Sequence, residues 1–107
     1  MATKQTADCY KARLAIKGIC MNYVIEVLDG DLSKLNIAKA WTDETDGKVY
    51  HNVFGLGSRC TFPDMAEGAE FYFTIAEKEE AGCNVCMAYR AVPPVKNNIV
   101  VQQTPCR

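Results

Sequence analysis

Alternation of apolar and polar residues is the strongest signal along this chain. Tyr10, Ala12, Leu14 and Ile16 alternate with Lys11, Arg13, Ala15 and Lys17. That spacing predicts a half-buried strand with one apolar and one largely basic face, ended by Gly18. YVIEVL (Tyr23 to Leu28) predicts a second strand, with Asp29-Gly30 as its turn. VYHNVF (Val49 to Phe54) and EFYFTIA (Glu70 to Ala76) predict two more, the latter with Phe71, Phe73 and Ile75 toward the core. CMAYRAV (Cys86 to Val92) reads as a further strand broken by Pro93-Pro94, and Ile99-Val100-Val101 as a short last one. The expected strands are thus near 9–17, 22–28, 48–54, 69–77, 86–92 and 98–102. Residues 31–41 fit a helix or an irregular strand. Residues 55–59 read as a loop. Residues 63–68 read as one helical turn, with Asp64 as cap and Gly68 as stop. Leu14, Ile16, Ile25, Val27, Phe71, Phe73, Ile75 and Tyr89 are the expected core, and Trp41 a further core anchor.

Five or six strands with almost no helix define an all-β fold. A sheet of this size has edges to protect, and closure into a small antiparallel barrel would protect them. The expected layout is a single β-barrel domain over 9–107 behind a polar lead or tether, residues 1–8. The chain has 107 residues, which suits one domain. Twelve basic and thirteen acidic residues leave a net charge of −1. No large field of one sign results, so no nucleic-acid partner is expected. No apolar run reaches about 18 residues, so no transmembrane segment is expected.

Composition changes the picture through cysteine. Cys9, Cys20, Cys60, Cys83, Cys86 and Cys106 make six in a short chain, an even count that reads as a disulfide framework. The competing readings are a zinc knuckle or a redox pair at Cys83-Asn84-Val85-Cys86. A zinc site would want a second ligand pair, and the only histidine is His51. No metal and no cofactor is therefore expected. Met1 precedes a polar stretch, residues 2–8, with no hydrophobic signal. Taken literally this is a cytoplasmic start. The cysteines favour the other reading, an export signal already removed, and an extracytoplasmic protein of the periplasm, cell surface or secreted fluid.

Catalytic constellations are not evident. His51 alternates with Val49 and Val53, which places it toward the core as a structural histidine. A Ser–His pair would need Ser33 or Ser58 beside it. Glu77, Glu79 and Glu80 with Lys78 read as a solvated loop. Gly55-Leu56-Gly57-Ser58 lacks the lysine and helix of a phosphate loop. Lys11, Arg13 and Lys17, with Tyr72 and Tyr89, are the one arrangement that suits a single-stranded nucleic acid, and the charge balance argues against it.

The order of strands around one short helical turn, from Cys9 to Val101, is similar to the OB-fold. That resemblance implies that the loop carrying Cys20 lies near the loop carrying Cys83 and Cys86. It favours a bridge from Cys20 to one of that pair and from Cys60 to the other, with Cys83–Cys86 plus Cys20–Cys60 as the alternative. Cys9 and Cys106 would meet where the first and last strands of a closed barrel approach. KGIC (Lys17 to Cys20) before YVIEV, NVF before Cys60, and EGAEFYF before CNVC also resemble small uncharacterised exported bacterial domains, of periplasmic or lipoprotein type. That resemblance implies location, fold and a lipid anchor in the precursor. The netrin-like domain of metalloprotease inhibitors is a further comparison, but its N-terminal Cys-x-Cys is absent, since Cys9 lies behind eight residues.

The expected function is a non-catalytic binding or scaffolding module of the cell envelope or extracellular space, with an unknown protein or small-molecule ligand. The alternative is a small secreted hydrolase inhibitor presenting a disulfide-held loop such as Ser58 to Asp64.

Overall fold

The computed structural model describes residues 9–76, 86–102 and 104–105. Seven strands form one sheet: β1 (Cys9–Lys17), β2 (Tyr23–Asp29), β3 (Ala38–Thr42), β4 (Val49–Leu56), β5 (Glu70–Ile75), β6 (Lys96–Asn97) and β7 (Ile99–Gln102). Their order is β3-β4-β2-β1-β5-β7, with β6 pairing β4 off this path. All pairings are antiparallel except β4 with β6.

The all-β class and the antiparallel sheet are as the alternation predicts, but the sheet is not closed into a barrel. The final segment divides at Asn98. Lys96–Asn97 runs parallel to β4, whereas Ile99–Gln102 pairs with β5. Among the described residues no continuous strand carries one pairing into the other, and β3 is the edge beyond β4.

The main core is aromatic. Tyr10 stacks on Phe73 at 5.0 Å, and Phe54 meets Phe73 edge-on at 5.9 Å. Phe62 packs edge-on against both Tyr23 and Phe71. Tyr10 is anchored at its polar end, donating to the Asp31 carbonyl at 2.7 Å. Gly30 lies against its ring at φ +130°, so a side chain there would collide with the ring as well as strain the backbone.

Two irregularities redirect side chains. Leu14 pairs with Ile25 but Ile16 pairs with Val24, so β1 bulges at Ala15. Ile16 therefore leaves the face of Tyr10, Ala12 and Leu14 and joins Val24 and Val53 in a second, smaller cluster. Asn52, at φ 56°, breaks the alternation of β4 without a register shift. Tyr50 and Val53 both reach the second cluster, and His51 is left exposed rather than turned to the core. The Lys39–Asn52 rung is missing from the β3–β4 ladder. His51 Nδ1 sits 3.3 Å from the Lys39 carbonyl, which the Nδ1–H tautomer satisfies.

The remaining segments differ in regularity from what their sequence implies. Residues 31–41 form a 3-10 turn at Leu32–Lys34 and then β3, with Asp31 accepting from the Ser33 amide at 3.0 Å. Residues 63–68 hold only a turn at Glu67-Gly68, because Glu67 accepts from the Lys17 amide at 2.8 Å instead of reaching back to a helix start. Gly55 and Leu56 belong to β4, and Gly57 follows it closely enough to the Asn97 carbonyl to leave no room for a side chain. The expected strand at 86–92 is irregular chain, for reasons that lie in the site itself.

Candidate functional site

The segment 86–92 is held by side chains instead of by a ladder. Cys86 forms a disulfide with Cys20, with the Cα atoms 5.0 Å apart. Asn22 donates its side-chain amide to the Ile19 carbonyl at 2.7 Å and to the Ala88 carbonyl at 2.9 Å. Arg59 donates to the Asn22 side-chain oxygen at 3.3 Å. Arg90 turns away from Cys86 and meets Asp43 in a two-point pair, at 2.6 and 3.2 Å, while also donating to the Ala91 carbonyl. Side chains take the Ala88 and Ala91 carbonyls and Pro93-Pro94 follows, so the segment forms no regular ladder.

The opposing turn is shaped to receive it. Cys20 and Met21 both adopt left-handed backbone at φ 57°, unusual for two successive residues with side chains. Gly18 lies against the Asn22 carbonyl, and a Cβ there would also come within 2.6 Å of Arg90 Cδ. The result is a projecting tip with three large apolar side chains in solvent: Ile19 is 59% exposed, Met87 91% and Tyr89 77%. Tyr89 is thus not a core residue. An alternating pattern placed it inward, but the chain there does not alternate.

Asp43 is the buried electrostatic anchor beneath this tip, with no solvent exposure. It also organises the β3–β4 turn: Asp43 donates its amide to the Lys48 carbonyl, and its carboxylate accepts from the Thr45 amide. The Arg90 guanidinium holds its carboxyl below the ordinary value near 3.8, against the opposing effect of burial. A carboxyl depressed in this way stabilises the fold above pH about 4, and the contribution is lost as pH falls through its lowered value. Asp43→Asn should cost about 3 kcal/mol at pH 7, since it leaves Arg90 unpaired. Urea melts of both proteins check this: the gap between them should shrink below pH about 4. A gap unchanged from pH 7 down to pH 2.5 would contradict it.

A polar cleft of about 320 Å³ opens on the outer face, lined by Arg13, Glu26, Lys48, Tyr50, Glu67 and Arg90 among others. Two of its charges, Arg13 and Glu26, pair with each other, and Arg90 is taken by Asp43. Arg13 meets Glu26 at 3.1 Å and Glu70 at 3.5 Å. Lys11 also reaches Glu70, and Lys17 reaches Asp64 at 3.0 Å. The basic face of β1 is therefore laced with carboxylates. Lys48 lies over the Tyr50 ring.

The other candidate groups stay apart. Ser58 is buried, donating to the Ile99 carbonyl and accepting from the Ile99 amide. Ser33 donates to Asp31. Neither is bonded to His51. Trp41 is half-buried against Tyr50. Among the described residues no three of His, Cys, Asp and Glu gather as metal ligands, and no helix is long and apolar enough to cross a membrane. Cys9 and Cys60 are also disulfide-bonded. The expected pairing of Cys9 with Cys106, the partner of Cys83 and the Glu77 to Glu80 loop fall outside the described residues. Because Cys86 bonds Cys20, the alternative Cys83–Cys86 bridge does not form.

Comparison with protein-family models, curated proteins and solved structures finds no match to this chain. The functional reading therefore rests on the geometry of the tip.

Proposed function

We propose that this chain is a non-catalytic binding module of the extracytoplasmic space, whose contact surface is the tip formed by Ile19, Met87 and Tyr89. The observation that carries the reading is the exposure of these three side chains around a covalent bridge. A single exposed apolar residue is ordinary; three beside one disulfide on a fixed turn are a hydrophobic anchor that loses little entropy on binding. Exposed apolar side chains held on a covalently fixed turn suit a partner that is a folded protein with an apolar pocket. A small-molecule ligand fits less well, because the cleft is at the low end of ligand-site volumes and its lining is charged. The ion-paired face of β1 supports the absence of a nucleic-acid partner. The disulfides support an oxidising compartment, whether periplasm, cell surface or secreted fluid. The placement of β1 between β2 and β5, with a parallel β4–β6 contact, supports an OB-like reading of the open sheet.

A photo-crosslinking residue at position 87 tests this in envelope and secreted fractions of the source cells. One protein should crosslink to this position, and the adduct should be lost when Tyr89→Ser is added. Equal labelling with a crosslinker at Lys34, on another part of the surface, would contradict the tip as the contact. The inhibitor alternative retains one supporting feature: Phe62 anchors a loop whose Thr61 and Pro63 stay exposed beside the disulfide-bonded Cys60. Saturable loss of activity across a peptidase panel would favour that reading.

A further inference from the structure

We infer that β3 is a self-association edge, through which a second copy of this chain extends the sheet by antiparallel β3–β3 pairing. The inference does not depend on the tip.

The free edge follows from the ladder. Asp43 donates its amide to the Lys48 carbonyl at 2.8 Å and accepts from the Gly47 amide, so its backbone groups face β4. Moving along the register by twos, those of Trp41 face β4 next, opposite Tyr50. The amides and carbonyls of Ala38, Ala40 and Thr42 consequently point away from β4. No partner for them is present among the described residues. Most edges of this kind are blunted by a proline, a bulge or several charges. β3 reads Ala-Lys-Ala-Trp-Thr and has one lysine and none of the other devices. The left-handed residue Asn52 lies on its neighbour, not on β3, and leaves the β3–β4 register unshifted.

Self-complementarity selects the occupant. A two-fold axis at Ala40 sets Ala40 opposite Ala40, Ala38 opposite Thr42, and Lys39 opposite Trp41 of the second copy. The outward-pointing residues then form hydrogen-bonded pairs, and each exchanges both bonds. Small side chains meet at the axis, where bulk would obstruct. Lys39 and Trp41 fall in the closer, non-hydrogen-bonded pairs, in which side chains touch. An exposed ammonium with no ion pair among the described residues thereby reaches the face of a half-buried indole, twice per dimer. One register satisfies both the backbone parity and this pair.

A five-residue strand gives a small interface, so the association belongs to the weak, concentration-dependent class. Sedimentation equilibrium of the oxidised protein, up to roughly 1 mM, reads it directly. The mass should rise with concentration toward that of two chains. Ala40→Pro removes an outward amide that β4 does not use, and should weaken association at least tenfold with the melting temperature retained. Lys39→Glu should weaken it about threefold or more through the lost cation–π pair. It also serves if the proline variant fails to fold. Met87→Ser/Tyr89→Ser should associate like the parent. A mass of one chain throughout would overturn the inference. So would association unchanged by Lys39→Glu, or association lost only in the Met87→Ser/Tyr89→Ser protein, which would place the contact at the tip.

Discussion

Replacing Phe73 by alanine should lower the unfolding free energy by roughly 3–5 kcal/mol. Phe73 is fully buried in the aromatic core and contacts the rings of Tyr10, Phe54 and Phe71. Its register partner on β1 is Tyr10, so the cavity would open between β1 and β5. Removing the ring forfeits its transfer free energy, and the surrounding aromatics are too rigid to collapse fully into the space. Tyr89→Ala is the matched control. That side chain is as large, yet it lies in solvent, so the change should be within about 0.5 kcal/mol. Urea denaturation under non-reducing conditions gives both values. Equal costs would show that the two aromatics do not differ in burial.

The second large effect is expected at the bridge. Cys20 and Cys86 are separated by 66 positions, and closing a loop of that length stabilises a fold by up to about 4 kcal/mol in the loop-entropy model. The bonded Cys9 and Cys60 already constrain the unfolded chain, so Cys20→Ser/Cys86→Ser should cost less, about 2–4 kcal/mol. The loss should be local before it is global. Asn22 alone would then tie Ala88 to the turn, and amide exchange at residues 87–90 should quicken at denaturant concentrations where β1 and β5 remain protected. An unchanged denaturation midpoint would remove the bridge from the account of stability.

Much of the sheet was legible because its strands are half-buried. Leu14, Ile25, Val27, Phe71 and Phe73 alternate with polar neighbours and are buried as that pattern implies. The failures occur where something other than alternation decides. Ile16 is buried as expected, but a one-residue bulge at Ala15 puts it in the second cluster, and the left-handed Asn52 interrupts the alternation of β4 without a register shift and leaves His51 in solvent. Neither position carries a glycine or proline to announce it. β3 stayed ambiguous because Ala38 and Ala40 are small and its side chains are at most half-buried, so no strong apolar face marks it.

The tip was the least legible part. Met87, Tyr89 and Ala91 alternate with Ala88 and Arg90 as a strand would, but their environment is set by long-range partners. Asp43 lies 47 positions from Arg90, and Asn22 lies 66 from Ala88. Local pattern cannot report such pairings. A signal was nonetheless present: an arginine stands within a run otherwise apolar, and the acidic stretch Asp43-Glu44-Thr45-Asp46 offers it a partner.

The central claim is that the Cys20–Cys86 bridge fixes the segment 86–90 on the turn 18–22 and so builds the exposed tip. Non-reducing peptide mapping, with fragmentation that separates Cys83 from Cys86, tests it most directly. A linked pair of peptides carrying Cys20 and Cys86, with no free thiol at either position, is the expected result. Cys20 linked to any other cysteine, or free thiols at both, would contradict it.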